Sequence, residues 1–96
     1  MNGTVGLFAL YDSKAEAFCP IFSAPTKAFA MRIITDMVNG SEEPPAKHPD
    51  DYSLFQLGVM TLGSGVIEPE KTNLGNCVEF KQGYPELKGG KVNEVA

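Results

Sequence analysis

The chain has 96 residues, of which 43% are hydrophobic and 21% are charged, and its net charge at pH 7 is −4. This length supports one hydrophobic core, because two cores would leave each half too small to be stable. The eight Lys and Arg residues are scattered along the chain, which argues against a duplex-coating or DNA-condensing protein. No segment approaches the ~20 apolar residues of a membrane helix, and the N-terminus lacks the positive charge of a secretory signal. We therefore expect a protein of the cytoplasm with no membrane partner.

The first predicted element is a strand over residues 5–11 that is apolar on both faces, as in a strand that is covered on both sides. Polar residues at 12–14 supply turn chemistry, and residues 18–22 predict a returning strand. Pro20 cannot donate a ladder hydrogen bond, so this second strand should lie at an edge or contain a bulge. The alternation places Val5, Leu7, Ala9 and Tyr11 on one face of the first strand, and Phe8 and Leu10 on the other.

Residues 25–38 predict an amphipathic helix, because apolar residues recur at the helical period. Pro25 suits the first turn, where its missing amide hydrogen is not needed. Asn39 and Gly40 tolerate the left-handed conformation that ends many helices. The predicted apolar stripe contains Phe29, Ala30, Ile33, Ile34, Met37 and Val38, and the predicted polar side contains Arg32, Thr35, Asp36 and Asn39.

The second half predicts another hairpin. Residues 41–45 form an acidic loop in which two prolines should block helix and sheet, and strand-like runs flank a Gly-rich turn at 63–65. Leu74, Cys77 and Val78 fit one helical turn, capped by Thr72 or Asn73, after which the chain should extend again.

The predicted fold class is therefore α+β. An antiparallel sheet is built from two β-hairpins with one amphipathic helix packed across it, in the order β-β-α-β-β plus a short helical turn. We expect one domain over residues 1–82 and a flexible C-terminal tail over 83–96, where glycine and charged residues leave little to bury.

Catalytic and metal-binding signatures are not found. His48 is the only histidine, so a zinc site would need Cys19, Cys77, His48 and a carboxylate to converge from distant segments. The adjacent acids are typical of solvated loops, and the 63–65 turn is too short for a phosphate-binding loop. We expect no enzyme activity, no cofactor and no metal, and two reduced cysteines acting as small hydrophobic residues in place of a disulfide.

Aromatic residues near basic ones suggest a surface for single-stranded nucleic acid, because bases stack on exposed rings. A domain of this size without tryptophan needs most of its phenylalanine rings inside, so the favoured interpretation of any one ring is that it belongs to the core beneath the helix. The aromatic residues on predicted strands are Phe8, Tyr11, Phe18, Phe22, Tyr52 and Phe55. The residues predicted to bind nucleic acid are Tyr11, Lys14, Lys27 and Arg32.

Short motifs in a fixed order connect the chain to a known family. They are Tyr-Asp-Ser-Lys-Ala-Glu-Ala-Phe at 11–18, Lys-His-Pro-Asp-Asp-Tyr-Ser-Leu-Phe at 47–55, and Leu-Gly-Asn at 74–76. In this order and spacing the chain resembles the small nonstructural protein of gokushoviruses, tailless single-stranded-DNA phages of the microvirus family. The resemblance implies a phage protein of the host cytoplasm that is absent from the virion. It also implies an accessory role in viral DNA replication, or in the switch to single-strand synthesis and packaging.

The sequence leaves two mechanisms open. The protein could bind single-stranded DNA weakly, or it could be an adaptor for a viral replication protein or a host protein without touching DNA. The adaptor would use the acidic loop residues Glu42, Glu43, Lys47, His48, Asp50 and Asp51. A homodimer is a further expectation, because a sheet edge or a flat sheet face can pair across a two-fold axis.

Overall fold

The computed structural model describes residues 3–81, so the predicted tail at 83–96 lies outside the described residues. The strands are β1 (Thr4–Asp12), β2 (Ala17–Phe18), β3 (Phe22–Ala24), β4 (Tyr52–Thr61) and β5 (Ile67–Asn76). The α-helices are α1 (Lys27–Gly40) and α2 (Pro44–Lys47), and 3-10 turns span Pro49–Asp51 and Cys77–Phe80.

All the strands belong to one antiparallel sheet in which β1 is central. β2 and β3 both pair with one side of β1, β4 pairs with its other side, and β5 pairs with the outer side of β4. The predicted α+β class, with two hairpins and one main helix, is confirmed. The helix covers one face of this sheet, so the fold has two layers.

The returning strand of the first hairpin is interrupted. Ala17 and Phe18 pair with the end of β1, and three residues from Phe22 onward pair with its middle. The break contains Pro20, which has no amide hydrogen for the ladder, as the sequence predicted for an edge strand. The amide of Cys19 still donates to the Leu10 carbonyl at 2.8 Å, so the two pieces stay on one edge.

Helix α1 is shifted from its predicted bounds by about half a turn. Thr26 is the N-cap, and its hydroxyl accepts a 3.0 Å hydrogen bond from the amide of Phe29, so Pro25 lies outside the helix. Asn39 and Gly40 were expected to end the helix, but both are helical, and Ser41 is the C-cap. The Asn39 amide group instead donates to the carbonyls of Thr35 and Phe80, each at 2.8 Å.

The buried stripe of α1 also differs from the predicted one. Thr35 was placed on the polar side, but it is buried, and its hydroxyl donates to the Met31 carbonyl at 2.8 Å. This internal bond satisfies the hydroxyl, so Thr35 packs like an apolar residue. Phe29 and Ile33 were assigned to the stripe, but both are exposed.

The proline pair after α1 does not prevent helix formation. Pro44 and Pro45 occupy the first turn of α2, where no amide hydrogen is required, and Pro45 and Ala46 are buried. The prediction of a loop that blocks helix at this point is wrong, because proline breaks a helix only beyond its first turn.

The last strand continues further along the chain than predicted. Strand β5 includes Leu74 and ends at Asn76. Asn76 caps the following 3-10 turn in place of Thr72 or Asn73. The Asn76 side chain accepts from the Val78 amide at 2.9 Å, while the Glu79 carboxylate accepts from the Asn76 amide. Glu79 and Phe80 therefore lie in the turn and do not extend.

The core lies between α1 and one sheet face. From the sheet it receives Phe8, Leu10 and Leu54, and the 3-10 turn closes it with two fully buried side chains, Cys77 and Phe80. The helix contributes Ala30, Ile34 and Val38, and β3 contributes Ala24. The predicted alternation in β1 is confirmed, since Phe8 and Leu10 face the helix and their neighbours face away.

Both cysteines are free thiols, and burial raises the pKa of each. Burial and the neighbouring Cys19 raise the pKa of Cys77 from 9.0 to about 11. The folded state therefore favours the protonated thiol, whereas the unfolded chain begins to lose this proton near pH 9. We expect the free energy of unfolding, measured by urea denaturation, to fall between pH 9 and pH 11. In Cys77→Ala the decline over this interval should be smaller, and an identical decline in both proteins would contradict the assignment.

Candidate nucleic-acid interface

The sheet face opposite α1 has no covering layer within residues 3–81. In β1 the outward positions alternate with the core positions, and they carry Val5, Leu7 and Tyr11, which are half-buried, and Ala9, which is fully buried. Cross-strand partners share a face, so Phe55 of β4, which pairs with Ala9, also lies there. We call this surface the open face.

Three aromatic rings meet at one end of the open face. The ring centroids of Tyr11 and Phe18 are 4.9 Å apart, and those of Phe18 and Phe55 are 5.3 Å apart, both in edge-to-face arrangements. Tyr11 and Phe55 complete the triangle at 6.3 Å. Phe18 is 37% exposed, whereas the other two rings are half-buried. We call these three residues the aromatic cluster, and Phe18 is its most accessible ring.

A lysine lies over the aromatic cluster. The Lys71 ammonium is 5.7 Å from the Phe18 ring centroid and 6.0 Å from that of Phe55, within range of cation–π attraction. Lys71 itself is exposed. The cluster therefore presents π-faces and a cation side by side, the pair of features that binds a base and its phosphate.

Lys71 reaches the cluster because β5 is irregular. A regular hairpin extended from the Met60–Ile67 pair would place Thr72 opposite Phe55, but the observed partner of Phe55 is Asn73. The register shifts between Gly58 and Gln56, where β5 advances from Pro69 to Thr72. Lys71 is two positions from Asn73 and so lies on the same face as Phe55.

The four residues predicted to bind nucleic acid are not all brought together. Tyr11 is a member of the aromatic cluster, and Lys14 is exposed in the turn that joins β1 to β2, at the same end of the sheet. Lys27 and Arg32 are exposed on α1, which packs on the opposite sheet face. Sequence reasoning did not select Phe18, Phe55 or Lys71 as site residues, although both rings were among the aromatic residues on predicted strands.

Acidic groups surround this end of the sheet. The Asp12 carboxylate caps the turn by accepting from the amides of Lys14 and Ala15, at 2.9 and 3.2 Å. The Asp51 carbonyl accepts from both the amide and the hydroxyl of Ser13, at 2.9 and 3.0 Å, which joins the 49–51 turn to the first hairpin. The Asp12 carboxylate therefore lies beside Lys14 and offsets part of its positive charge, which weakens the attraction of a phosphate to this turn.

The residues predicted for a protein partner lie on one connected segment around α2. Glu42 and Lys47 form an exposed ion pair at 3.5 Å, and His48, the C-cap of α2, donates its amide hydrogen to the Pro44 carbonyl at 2.8 Å. Exposed pairs of this kind contribute little to stability. Glu43 and Asp50 are exposed and Asp51 is half-buried, so the segment presents mainly acidic groups to solvent.

Residues 3–81 contain no pocket and no group of three His, Cys, Asp or Glu side chains placed to hold a metal ion. No helix within this part of the chain is long and apolar enough to span a membrane.

These features define a class of protein: a small two-layer α+β domain with one sheet face uncovered and an aromatic cluster at one end of that face. Residues 5–80 match the model of the family described as Phage ORF5 protein, and the chain belongs to this family. The match ends at Phe80, which is the last buried residue among residues 3–81. No curated protein and no solved structure matches the chain.

Proposed function

We propose that this phage protein is a non-enzymatic accessory factor of viral DNA synthesis that binds single-stranded DNA through the aromatic cluster. The observation that carries the proposal is the position of Lys71 over the rings of Phe18 and Phe55 on an uncovered sheet face. The resemblance to the nonstructural protein of gokushoviruses supports it, since those phages copy and package a single-stranded genome in the host cytoplasm.

The binding step follows from the exposure of each group. A base would stack on the accessible face of Phe18, while Tyr11 and Phe55 hold that ring in place through their edge-to-face contacts. Lys71 would turn from the rings to the phosphate of the same nucleotide. Bases in a duplex are already stacked on each other, so this arrangement favours a single strand.

The affinity should be low and only weakly dependent on salt. One lysine contacts the cluster directly, and a single phosphate contact gives a slope of about −0.7 in a plot of log K against log salt concentration for a single strand. A stacked base contributes about 1–3 kcal/mol, so most of the binding free energy would come from stacking.

The test is fluorescence anisotropy of a labelled single-stranded DNA of about thirty nucleotides, which is long enough to span a site of ~4–16 nucleotides. It is titrated at low and at physiological salt, with a duplex of equal length as control. Phe18→Ala should weaken binding by about 5- to 150-fold, the loss of one stacked base. Phe29→Ala is the matched control, because Phe29 is also an exposed ring (52%) but lies on α1.

Lysine variants test whether the DNA binds at the open face or at helix α1. Lys71→Gln should weaken binding and reduce the salt slope by about 0.7, whereas Lys27→Gln should change neither. The reverse result would move the site to the helix layer, where Lys27 and Arg32 lie.

A protein adaptor is the second candidate function, favoured by the exposed acidic segment around α2. Absence of binding to the single strand even at low salt would rule out the DNA proposal. The partner would then be sought by pull-down from infected host cells, comparing the wild type with a Glu42→Lys, Glu43→Lys variant.

A further inference from the structure

One polar side chain is buried in the sheet layer. Gln56 of β4 is 5% exposed, and Thr35 of α1 is the other buried polar residue within 3–81. The Gln56 Nε2 donates to the Gly58 carbonyl at 3.3 Å, but its Oε1 is buried without a hydrogen-bond partner among the described residues. A buried oxygen without a partner costs folding free energy, which an apolar side chain of the same length would avoid. Stability alone therefore does not explain a glutamine at this position.

Gln56 lies where neighbouring strands advance by different numbers of residues. From Leu7 to Phe8, β1 advances by one residue, while β4 opposite advances by two, from Gly58 to Gln56. Beside the same part of β4, β5 advances by three, over residues 69–72. Both irregularities therefore fall at one place, a bulge centred on the residue between Gln56 and Gly58. The hydrogen bond from the Gln56 side chain to the Gly58 carbonyl spans this bulge and joins its two ends.

The space for the buried amide is provided by Gly6 of β1. A Cβ at Gly6 would lie 3.2 Å from the Gln56 Nε2 and 2.5 Å from a ring carbon of Phe8. Both groups therefore lie close to the bare backbone of Gly6. Phe8 is also the cross-strand partner of Gln56 and is fully buried. Packing against this part of the core and the bond to Gly58 together fix the position of the Gln56 side chain.

The register at the bulge decides on which sheet face Lys71 lies. In a regular hairpin Lys71 would pair with Gln56, whose own partner in β1 is the core residue Phe8. Cross-strand partners share a face, so Lys71 would then lie on the helix side, away from the aromatic cluster. In the observed register Lys71 lies on the open face, with its ammonium 5.7 Å from the Phe18 ring centroid. The cation of the candidate site thus depends on the bulge that Gln56 spans.

We propose that Gln56 is a positioning residue of the DNA site, because its bond to Gly58 fixes the bulge that places Lys71 over the aromatic cluster. Its consequence for DNA binding rests on the proposed function, whereas the placement of Lys71 is a property of the free protein. A polar group in a core can select one register among several, as a single polar residue does in coiled coils. The buried Oε1 is the stability cost of that selection.

Nuclear Overhauser contacts between the Lys71 side chain and the rings of Phe18 and Phe55 test this placement in the full chain without DNA. Gln56→Met replaces the amide with an unbranched apolar side chain of about the same length. These contacts should be present in the wild type and lost in Gln56→Met. The melting temperature should stay at or above that of the wild type, because the oxygen without a partner is removed.

Thr35→Val is the matched control, since it removes the other buried polar group and lies in the helix layer. It should leave the contacts of Lys71 unchanged. Unchanged contacts in Gln56→Met would overturn the proposal, and so would their loss in Thr35→Val, which would mean that any change in the core displaces the lysine.

DNA titrations by anisotropy give a readout that general destabilisation does not imitate. Gln56→Met should weaken single-strand binding by the same factor as Lys71→Gln and should also reduce the salt slope by about 0.7. The double variant should bind no more weakly than either single variant, because both changes remove the same contact. Factors that multiply in the double variant would contradict the proposal, since Gln56 would then act independently of Lys71.

Two results separate this inference from the proposed function. A wild type that binds no single strand would refute DNA binding, while loss of the Lys71 contacts in Gln56→Met would still support the role of Gln56. Should Gln56→Met not fold, deuterium exchange of the Gln56 side-chain amide in the wild type tests the bond to Gly58. This amide should exchange more slowly than that of Asn73, which is exposed on β5, and equal rates would overturn the proposal.

Discussion

Replacing Phe80 with alanine should lower the free energy of unfolding by about 3–5 kcal/mol, the usual cost of removing a large buried ring. Phe80 is fully buried in the cluster formed by α1 and the sheet, although it lies in a four-residue 3-10 turn. Its carbonyl also accepts the hydrogen bond from Asn39 that joins this turn to α1. The turn therefore acts as part of the core and not as a surface extension.

Urea denaturation of Phe80→Ala beside Val78→Ala measures this effect. Val78 lies in the same turn but is exposed, so its loss should change the free energy by less than about 0.5 kcal/mol. Similar small changes in both variants would mean that the turn detaches from the core without unfolding the sheet.

The second large effect is expected from adding one methyl group at Gly6. A Cβ at this position would lie 2.5 Å from a ring carbon of Phe8 and 3.2 Å from the Gln56 amide nitrogen. Phe8 is fully buried, so Gly6→Ala should destabilise the protein by about 1–3 kcal/mol through overpacking.

Gly40→Ala is the matched control for this change, with the opposite sign. Gly40 lies in α1, and a Cβ there meets no atom within 4 Å. Alanine should therefore stabilise the helix by about 0.5–1 kcal/mol, since glycine loses more conformational freedom on folding. Thermal unfolding of the two variants beside the wild type measures both effects. Equal melting temperatures for wild type and Gly6→Ala would show that Phe8 has room to shift.

The elements that follow a regular period could be predicted from the sequence. Apolar residues of β1 alternate between its two faces, so the amino-acid pattern assigns Phe8 and Leu10 to the core cluster and Tyr11 to the other face, although Ala9 is buried as well. The apolar recurrence in α1 likewise indicates that the helix exists, while its ends depend on the Thr26 hydroxyl, which no periodicity reveals.

The candidate site was only partly predictable because it depends on sheet irregularities. Lys71 reaches Phe55 only through the register shift between β4 and β5, and a regular hairpin would pair Lys71 with Gln56 instead. A bulge is not visible in the amino-acid composition. Pairing the residues of β4 and β5 outward from the 63–65 turn therefore could not have predicted the contact between Lys71 and Phe55. Lys27 and Arg32 were selected because they are close in sequence to the first hairpin, but the helix carries them to the other layer.

The central position of β1 also decides how the chain reaches its native state. Its short partners β2 and β3 follow within a few residues, but its long partner β4 comes much later: Asp12 pairs with Tyr52, forty positions along the chain. The first hairpin and α1 can form from local contacts, yet Phe8 is enclosed only when Leu54 arrives. Closing that loop costs chain entropy before any non-local contact forms, so folding should be slower than in helical bundles of similar size. Until β4 docks, β1 offers an unpaired edge, and this interval is when the chain is most exposed to aggregation.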